Sequence, residues 1–229
     1  MSNFHKTVKT GKPGQAVEHS RYINREGKYK HRNDLVLKAH GNFPAWANND
    51  PYTFWNTADN NERVNGAVYR EFEVSLPSEL TLKQQQELVN ELIRTCINPK
   101  PYQYAIHAPQ AALGKVLQPH AHIMFSDRLP DDIARSPELH FKRYNRNNPE
   151  LGGCKKDSGG KDYLDLRNDL IAQREYWARI QNHALEKYGH PARVDHRSNI
   201  ERGMRQPRKY ISYATIREIT EAEKKNNNK

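Results

Sequence analysis

Cysteine is scarce in this chain: there are two in 229 residues, Cys96 and Cys154. Neither sits in a Cys-x-x-Cys pair, and two cannot build a disulfide framework, which sets aside the small stapled secreted folds. Cys96 reads as a core residue. Long apolar runs are missing too. Mean hydropathy is −1.04, and no stretch is long enough to span a bilayer, so no membrane insertion is expected. The first six residues lack the apolar segment that follows the charges of a signal peptide, and a reducing cytoplasm is the expected setting. Acidic residues are in deficit, 27 Asp and Glu against 37 Lys and Arg, a net charge of +10. No internal repeat is visible. The length fits one domain with room for an extension.

Positive charge is an argument about partners rather than fold. The basic residues are spread along the chain and interleaved with Tyr, Trp and Asn. That pattern suits a groove that grips phosphates and stacks bases better than a lipid-binding amphipathic helix.

The periodicities predict an α+β chain. A strand is expected over 4–8, then a helix over 15–25 stopped by Gly27, and a short strand over 35–38. Asp50-Pro51 starts a helix with an N-cap side chain and a proline at the first helical position, running to about Val64. Residues 67–76 alternate. Tyr69, Glu71, Glu73 and Ser75 share one face, while Val68, Phe72, Val74 and Leu76 share the other. Thr81-Leu82-Lys83-Gln84 is a capping box, followed by the amphipathic series Leu88, Val89, Leu92, Ile93, Cys96. Residues 127–161 form a basic, glycine-containing loop region, flexible enough to close over a single strand. A long helix over 163–188 carries the stripe Leu166, Leu170, Trp177, Ile180, Ala184, Tyr188, expected as core, with Gly189 as its cap. A short helix over 215–224 and a frayed tail over 221–229 complete the chain.

The chemistry concentrates in Pro119-His120-Ala121-His122-Ile123-Met124-Phe125, which reads as a strand. Residues two apart in a strand share a face, so His120 and His122 present their imidazoles side by side. A third, His107, ends another strand-like stretch, Tyr104-Ala105-Ile106-His107. The short connection between them lets the two strands pair, and the three imidazoles converge. Neutral imidazole is the commonest protein ligand for divalent transition metals. If the alternating strand lies beside them, Glu71 and Glu73 face the same point, where a carboxylate binds metal, orients a histidine or accepts a proton. By composition alone, Tyr22 reads rather as a half-buried aromatic of an amphipathic helix.

Taken in order, several motifs resemble one family. They are Tyr22-Ile23-Asn24-Arg25-Glu26-Gly27-Lys28-Tyr29, Arg70-Glu71-Phe72-Glu73 with Leu76-Pro77, Ala105-Ile106-His107, Pro119-His120-Ala121-His122-Ile123-Met124, Phe141-Lys142-Arg143-Tyr144-Asn145, and Val194-Asp195-His196-Arg197. Over roughly residues 3–200 the chain is similar to the MobA/MobL plasmid mobilisation relaxases, within the wider HUH endonucleases. The resemblance implies a central, mainly antiparallel sheet flanked by helices, with the histidines at its middle. It implies a relaxase domain over 1–200 and a C-terminal extension over 201–229. It also implies that Tyr22 is the nucleophile, that His107, His120 and His122 hold Mg²⁺ or Mn²⁺, and that Glu71 or Glu73 serves as base or orients a histidine. Arg21, Arg25, Lys28, Lys142, Arg143 and Tyr144 are expected at the DNA. The implied partners are origin-of-transfer DNA, read as a hairpin plus single strand, accessory mobilisation proteins and a type IV secretion coupling protein. The implied location is the bacterial cytoplasm, with passage into the recipient on the joined strand. Other readings of the same residues are a rolling-circle replication initiator or transposase, a hydrolytic nuclease, and a basic DNA-binding protein whose histidines hold a structural metal.

Overall fold

The structure is a computed structural model that describes residues 4–110 and 116–204. The predicted helix over 215–224 and the tail over 221–229 lie outside the described residues. The chain divides into two units, Met1–His196 and Arg197–Lys229. In the second, Ser198 and Glu201 bond reciprocally through side chain and backbone.

The first unit is built on one five-stranded sheet in the order β1-β3-β5-β4-β2. Its strands are β1 (Lys6–Gly11), β2 (Leu35–Gly41), β3 (Tyr69–Ser75), β4 (Tyr102–His107) and β5 (His120–Phe125). Every neighbouring pair is antiparallel. The helices are α1 (Ala16–Ile23), α2 (Pro51–Asn61), α3 (Leu82–Cys96), the short α4 (Pro137–His140) and α5 (Tyr163–Lys187). This is the α+β, relaxase-like sheet that the sequence implied.

Alternation along the central strands gives the sheet two different faces. Phe72, Val74, Tyr104, Ile106, Ala121, Ile123 and Phe125 join Leu88, Val89, Leu92 and Ile93 of α3 and Trp177 and Leu185 of α5 in one buried cluster. Full burial of each such side chain contributes roughly 1.5–3 kcal/mol. The opposite face packs Tyr69, Ala105 and Met124 under α1 and α2, against Ile23, Phe54 and Trp55.

Local chemistry sets the element ends. Asp50 accepts from the backbone N–H groups of Tyr52 and Thr53 and so caps α2. Both halves of the Thr81 capping box form. α1 stops at Ile23, two residues early, because the chain turns through positive φ at Arg25 and again at Gly27. α2 stops at Asn61 rather than Val64, its end capped by Glu62 in an extended conformation.

Three expectations change. The α5 stripe is core only in its second half: Trp177 is fully buried, but Leu166 and Leu170 are 39% and 37% exposed, lining an open recess beside Val8, Phe72 and Phe125 of the sheet. Val68 precedes β3 and packs with Tyr69 rather than with Phe72. The region 127–161 is knitted down rather than loose. Buried Arg128 donates to Glu62 and to the carbonyls of Phe141, Lys142 and Cys154. Gly153 packs so tightly there that a Cβ would lie 2.1 Å from the Lys142 carbonyl oxygen.

Candidate active site

Strand register assembles the histidines. His107 on β4 stands directly opposite His120 on β5, and His122 lies two residues further along the same face. The three ring centroids are 5.0–5.4 Å apart, and a ligand nitrogen from each lies within 4.8 Å of the others. β3 pairs with the other edge of β5, with Glu73 across from His122 and Glu71 across from Met124. The two carboxylates therefore join the same face.

Hydrogen bonds define which nitrogen each ring offers. His120 Nδ1 donates to the Gln118 carbonyl at 3.0 Å. His122 Nδ1 donates to Glu71 Oε1 at 2.9 Å. Each therefore turns Nε2 outward as a lone-pair donor. His107 differs: Nε2 donates to the Ile23 carbonyl at 2.7 Å, and Nδ1 accepts from Arg25 Nη2 at 3.0 Å. Burial pushes the His107 imidazole down to about 4, against the pull of the Ile23 carbonyl and with the help of Arg25. Burial also lowers His120. Neutral rings are the state that binds a cation. The donor set thus fits a divalent ion, once His107 exchanges its bond to Ile23 for the ion. A second grouping, Glu71, Glu73 and His122, also lies within ligand distance. Like His107, Glu71 has both its ligand atoms engaged, by His122 and His19.

Glu71 is fully buried. One oxygen accepts from His122 and the other meets His19 Nε2. Burial alone would raise its carboxyl, but the bonds from His122 and His19 hold it down at about 2. A carboxylate so stabilised orients its neighbours and is a poor proton acceptor. Glu73 is partly open and ion-pairs with Lys9. Burial would raise it, yet the Lys9 bond keeps it below the usual range.

Tyr22 projects from α1 into this group. Its ring lies edge-on to His122 at 5.9 Å and to Tyr29 at 5.2 Å, and stacks on His19 at 5.8 Å. The guanidinium groups of Arg25 and Arg32 lie 4.8 and 5.4 Å from its centroid. Tyr29 reaches the same place because the turn at Gly27 folds the chain back.

Arg25 corrects an expectation. It was assigned to DNA, but its side chain is 4% exposed and bonds bidentately to Asp34, to the Tyr22 carbonyl and to His107. A guanidinium so enclosed has its donors engaged within the protein and holds the site together. Arg21 and Lys28 remain exposed beside Tyr22, Lys28 bonded to Glu18 at 3.3 Å. Lys142 and Arg143 are exposed and Tyr144 half-buried, anchored through Phe141 against α2. Among the described residues no contact joins these three to the histidines.

The sequence reading missed three residues. His19 sits one helical turn before Tyr22, a spacing that puts both on one face of α1. It also stacks on Tyr69 at 4.9 Å. Asp34 pairs with Arg25, and Asp59 accepts from the backbone N–H of Gly14, Ala16 and Val17, which fixes the start of α1. Nothing local in the sequence marks the two aspartates, whose partners lie 9 and 42–45 residues away.

A central antiparallel sheet carrying three convergent histidines, with a tyrosine helix laid across them, defines the relaxase class of folds. Residues 13–221 match the MobA/MobL family, and the chain belongs to it. It is 46% identical over 201 residues to the 43 kDa relaxation protein of Salmonella typhimurium, covering 86% of this chain and 54% of that protein. It is 42% identical over 204 residues to mobilization protein A of Escherichia coli, covering 86% of this chain and 27% of that one. Mobilization protein MobL of Acidithiobacillus ferridurans is 28% identical over 188 residues, covering 74% and 47%. The chain thus spans about half or less of the length of these curated relatives. In fold it is similar to a solved chain described under the molecular basis of vancomycin resistance transfer in Staphylococcus aureus. That likeness has a TM-score of 0.62 at 20% identity, over 86% of this chain and 100% of that one. Among the described residues no helix is long and apolar enough to cross a membrane.

Proposed function

We propose that this chain is the strand-cutting and strand-joining domain of a mobilisation relaxase. It binds the plasmid origin of transfer as a hairpin with an adjoining single strand. Tyr22 Oη attacks the phosphorus at the nick site, the bond to the 3′ oxygen breaks, and the 3′ hydroxyl leaves with a proton. The 5′ phosphate stays on Tyr22 as an ester. One phosphoester replaces another, so the reverse attack by a 3′ hydroxyl reseals the strand without ATP.

The observation that carries this reading is the contact of Tyr22 with His122, one of three histidines that can share a cation. His107, His120 and His122 would hold Mg²⁺ or Mn²⁺, which when bound supplies Lewis-acid neutralisation of the phosphate oxygens. The remaining work belongs to side chains. Glu71 fixes the tautomer and orientation of His122. Arg25 and Arg32 set positive charge beside the Tyr22 ring, where negative charge develops as the oxygen attacks or departs. Arg21, Lys28, Lys142 and Arg143 hold phosphates, so affinity falls steeply with salt. The accessory mobilisation proteins, the secretion coupling protein, the cytoplasmic setting and carriage into a recipient cell belong to the same proposal.

The test is a single-stranded oligonucleotide from the transfer origin, labelled at its 3′ end, incubated with the protein and Mn²⁺ and run on a denaturing gel. A protein-sized labelled band that requires metal and vanishes in Tyr22→Phe is expected. Cleavage without an adduct identifies a hydrolytic nuclease instead. An adduct that survives Tyr22→Phe moves the nucleophile to Tyr29. Binding without cleavage under any metal leaves the histidines structural.

A further inference from the structure

On the far side of α1 from the histidines lies a second recess. It is a cleft of about 440 Å³ between α1, β2 and the start of α2, with Arg21, Asn24, Lys38, Tyr52 and Gln103 along its walls. Two observations mark it as a place that receives something. The first is a flat wall: the Arg21 guanidinium lies 5.4 Å from the Tyr52 ring, and Tyr52 is 50% exposed. Exposed aromatic and guanidinium planes are the surfaces on which unstacked bases lie. The second is a donor without an acceptor. Gln103 is 1% exposed; its Oε1 accepts from Ser20 Oγ at 3.0 Å and Trp55 Nε1 at 2.7 Å, and its Nε2 has no partner. Turning the amide over would leave the Trp55 N–H facing another donor, so the unpaired N–H₂ stays. A buried donor left unanswered is destabilising, and an incoming carbonyl relieves it.

We propose that this cleft holds one unstacked nucleobase of the strand that passes Tyr22, stacked on the Tyr52–Arg21 wall and accepting from Gln103 through a carbonyl oxygen or a ring nitrogen. The proposal rests on the reading that the domain handles single-stranded DNA, and it adds where one base is read. Arg21 precedes Tyr22 on α1 and Asn24 caps that helix, so a strand crossing it presents a phosphate to one side and a base to the other. The acidic side chains along the cleft are engaged: Glu26 with Lys38 at 2.7 Å, and Asp50 with Thr53. Every base offers that amide an acceptor, an exocyclic carbonyl oxygen or a ring nitrogen, so the cleft grips one base by stacking and tolerates adenine as well as the others there.

The experiment is a scan of the origin-of-transfer oligonucleotide, with each base near the nick replaced in turn by an abasic site and by adenine. Affinity and adduct formation are both read, for the wild type and for Tyr52→Ala. One position should lose about tenfold in affinity when abasic. Tyr52→Ala should bind the intact strand about tenfold more weakly and lose nothing further from the abasic change at that position. Gln103→Glu keeps the acceptor for Trp55 and removes the donor. It should weaken binding of the intact strand and lose less than the wild type from the abasic change there. Losses that simply add at every position, with adduct formation intact, overturn the cleft and leave the relaxase reading standing. Position-specific coupling without any adduct supports the cleft and overturns the transesterification. A wild-type protein that binds no single strand overturns both.

Discussion

The two faces of one sheet are made by the same strands and obey different rules. On β5, Ala121, Ile123 and Phe125 face α3 and α5, while His120, His122 and Met124 face α1 and α2. The first face is apolar and is held by area. The second is mixed: an apolar cluster around Phe54, Trp55 and Met124 lies beside imidazoles and carboxylates that are held by hydrogen bonds. A one-residue slip in β5 would exchange them, which is why register is as much a catalytic feature here as a structural one.

Breaking each face separately tests the division. Tyr22→Phe should reduce adduct formation to background while thermal or urea stability stays within about 0.5 kcal/mol, measured on the same preparation. Ile123→Ala should do the reverse. It should cost about 2–5 kcal/mol in urea unfolding, with the fraction still folded keeping its cleavage rate. Glu71→Gln should fall in between. Losing the carboxylate that bonds both His122 and His19 should lower metal affinity, read by calorimetry with Mn²⁺, by roughly 10–100-fold. A normal affinity in that variant would remove Glu71 from its orienting role.

The smallest effect is the pH dependence of the metal-free protein. Burial holds His107 and His140 at about 4, below the usual 6.5. Between those values the unfolded chain takes up protons that the folded one refuses. Stability is therefore full above pH 6.5 and declines as pH falls toward 4. Glu71, held at about 2 from 4.5, extends the loss below that. Ile123→Ala should lower the urea midpoint at every pH without changing the shape of the curve. A profile flat from pH 7 to 4 would contradict the burial of these imidazoles.

Much of this was legible in the sequence because it is written at short range. The alternation of 67–76 and the His-x-His of β5 each fix a face within a few residues. The capping box at Thr81 and the Asp50-Pro51 start are local hydrogen-bond chemistry. Convergence of His107 with the other two followed from the short connection between their strands. What escaped is long-range. Asp34 and Asp59 look like ordinary surface acids until the fold brings Arg25 and the start of α1 to them. Arg25 looked like a phosphate ligand because its neighbours in sequence are basic, but a positive φ turns it inward. The Leu166–Leu170 half of the α5 stripe has the same period as the buried half, and periodicity cannot say that a recess is left between it and the sheet.

Asp59 acquires another meaning once a strand is attached. Under the proposed reaction, a DNA chain esterified to Tyr22 would be a rope tied to α1, a helix of only eight residues. Any pull on that rope is transmitted at one end to Asp59, which grips three amides from a different helix, and at the other to Arg25 and its forked bond to Asp34. Buried Ala16 and Ile23 seat the helix between these two moorings. The load then passes into α2 and the loop before β2 instead of unwinding α1 from its ends, so the knot is belayed at points the chain reaches only by folding.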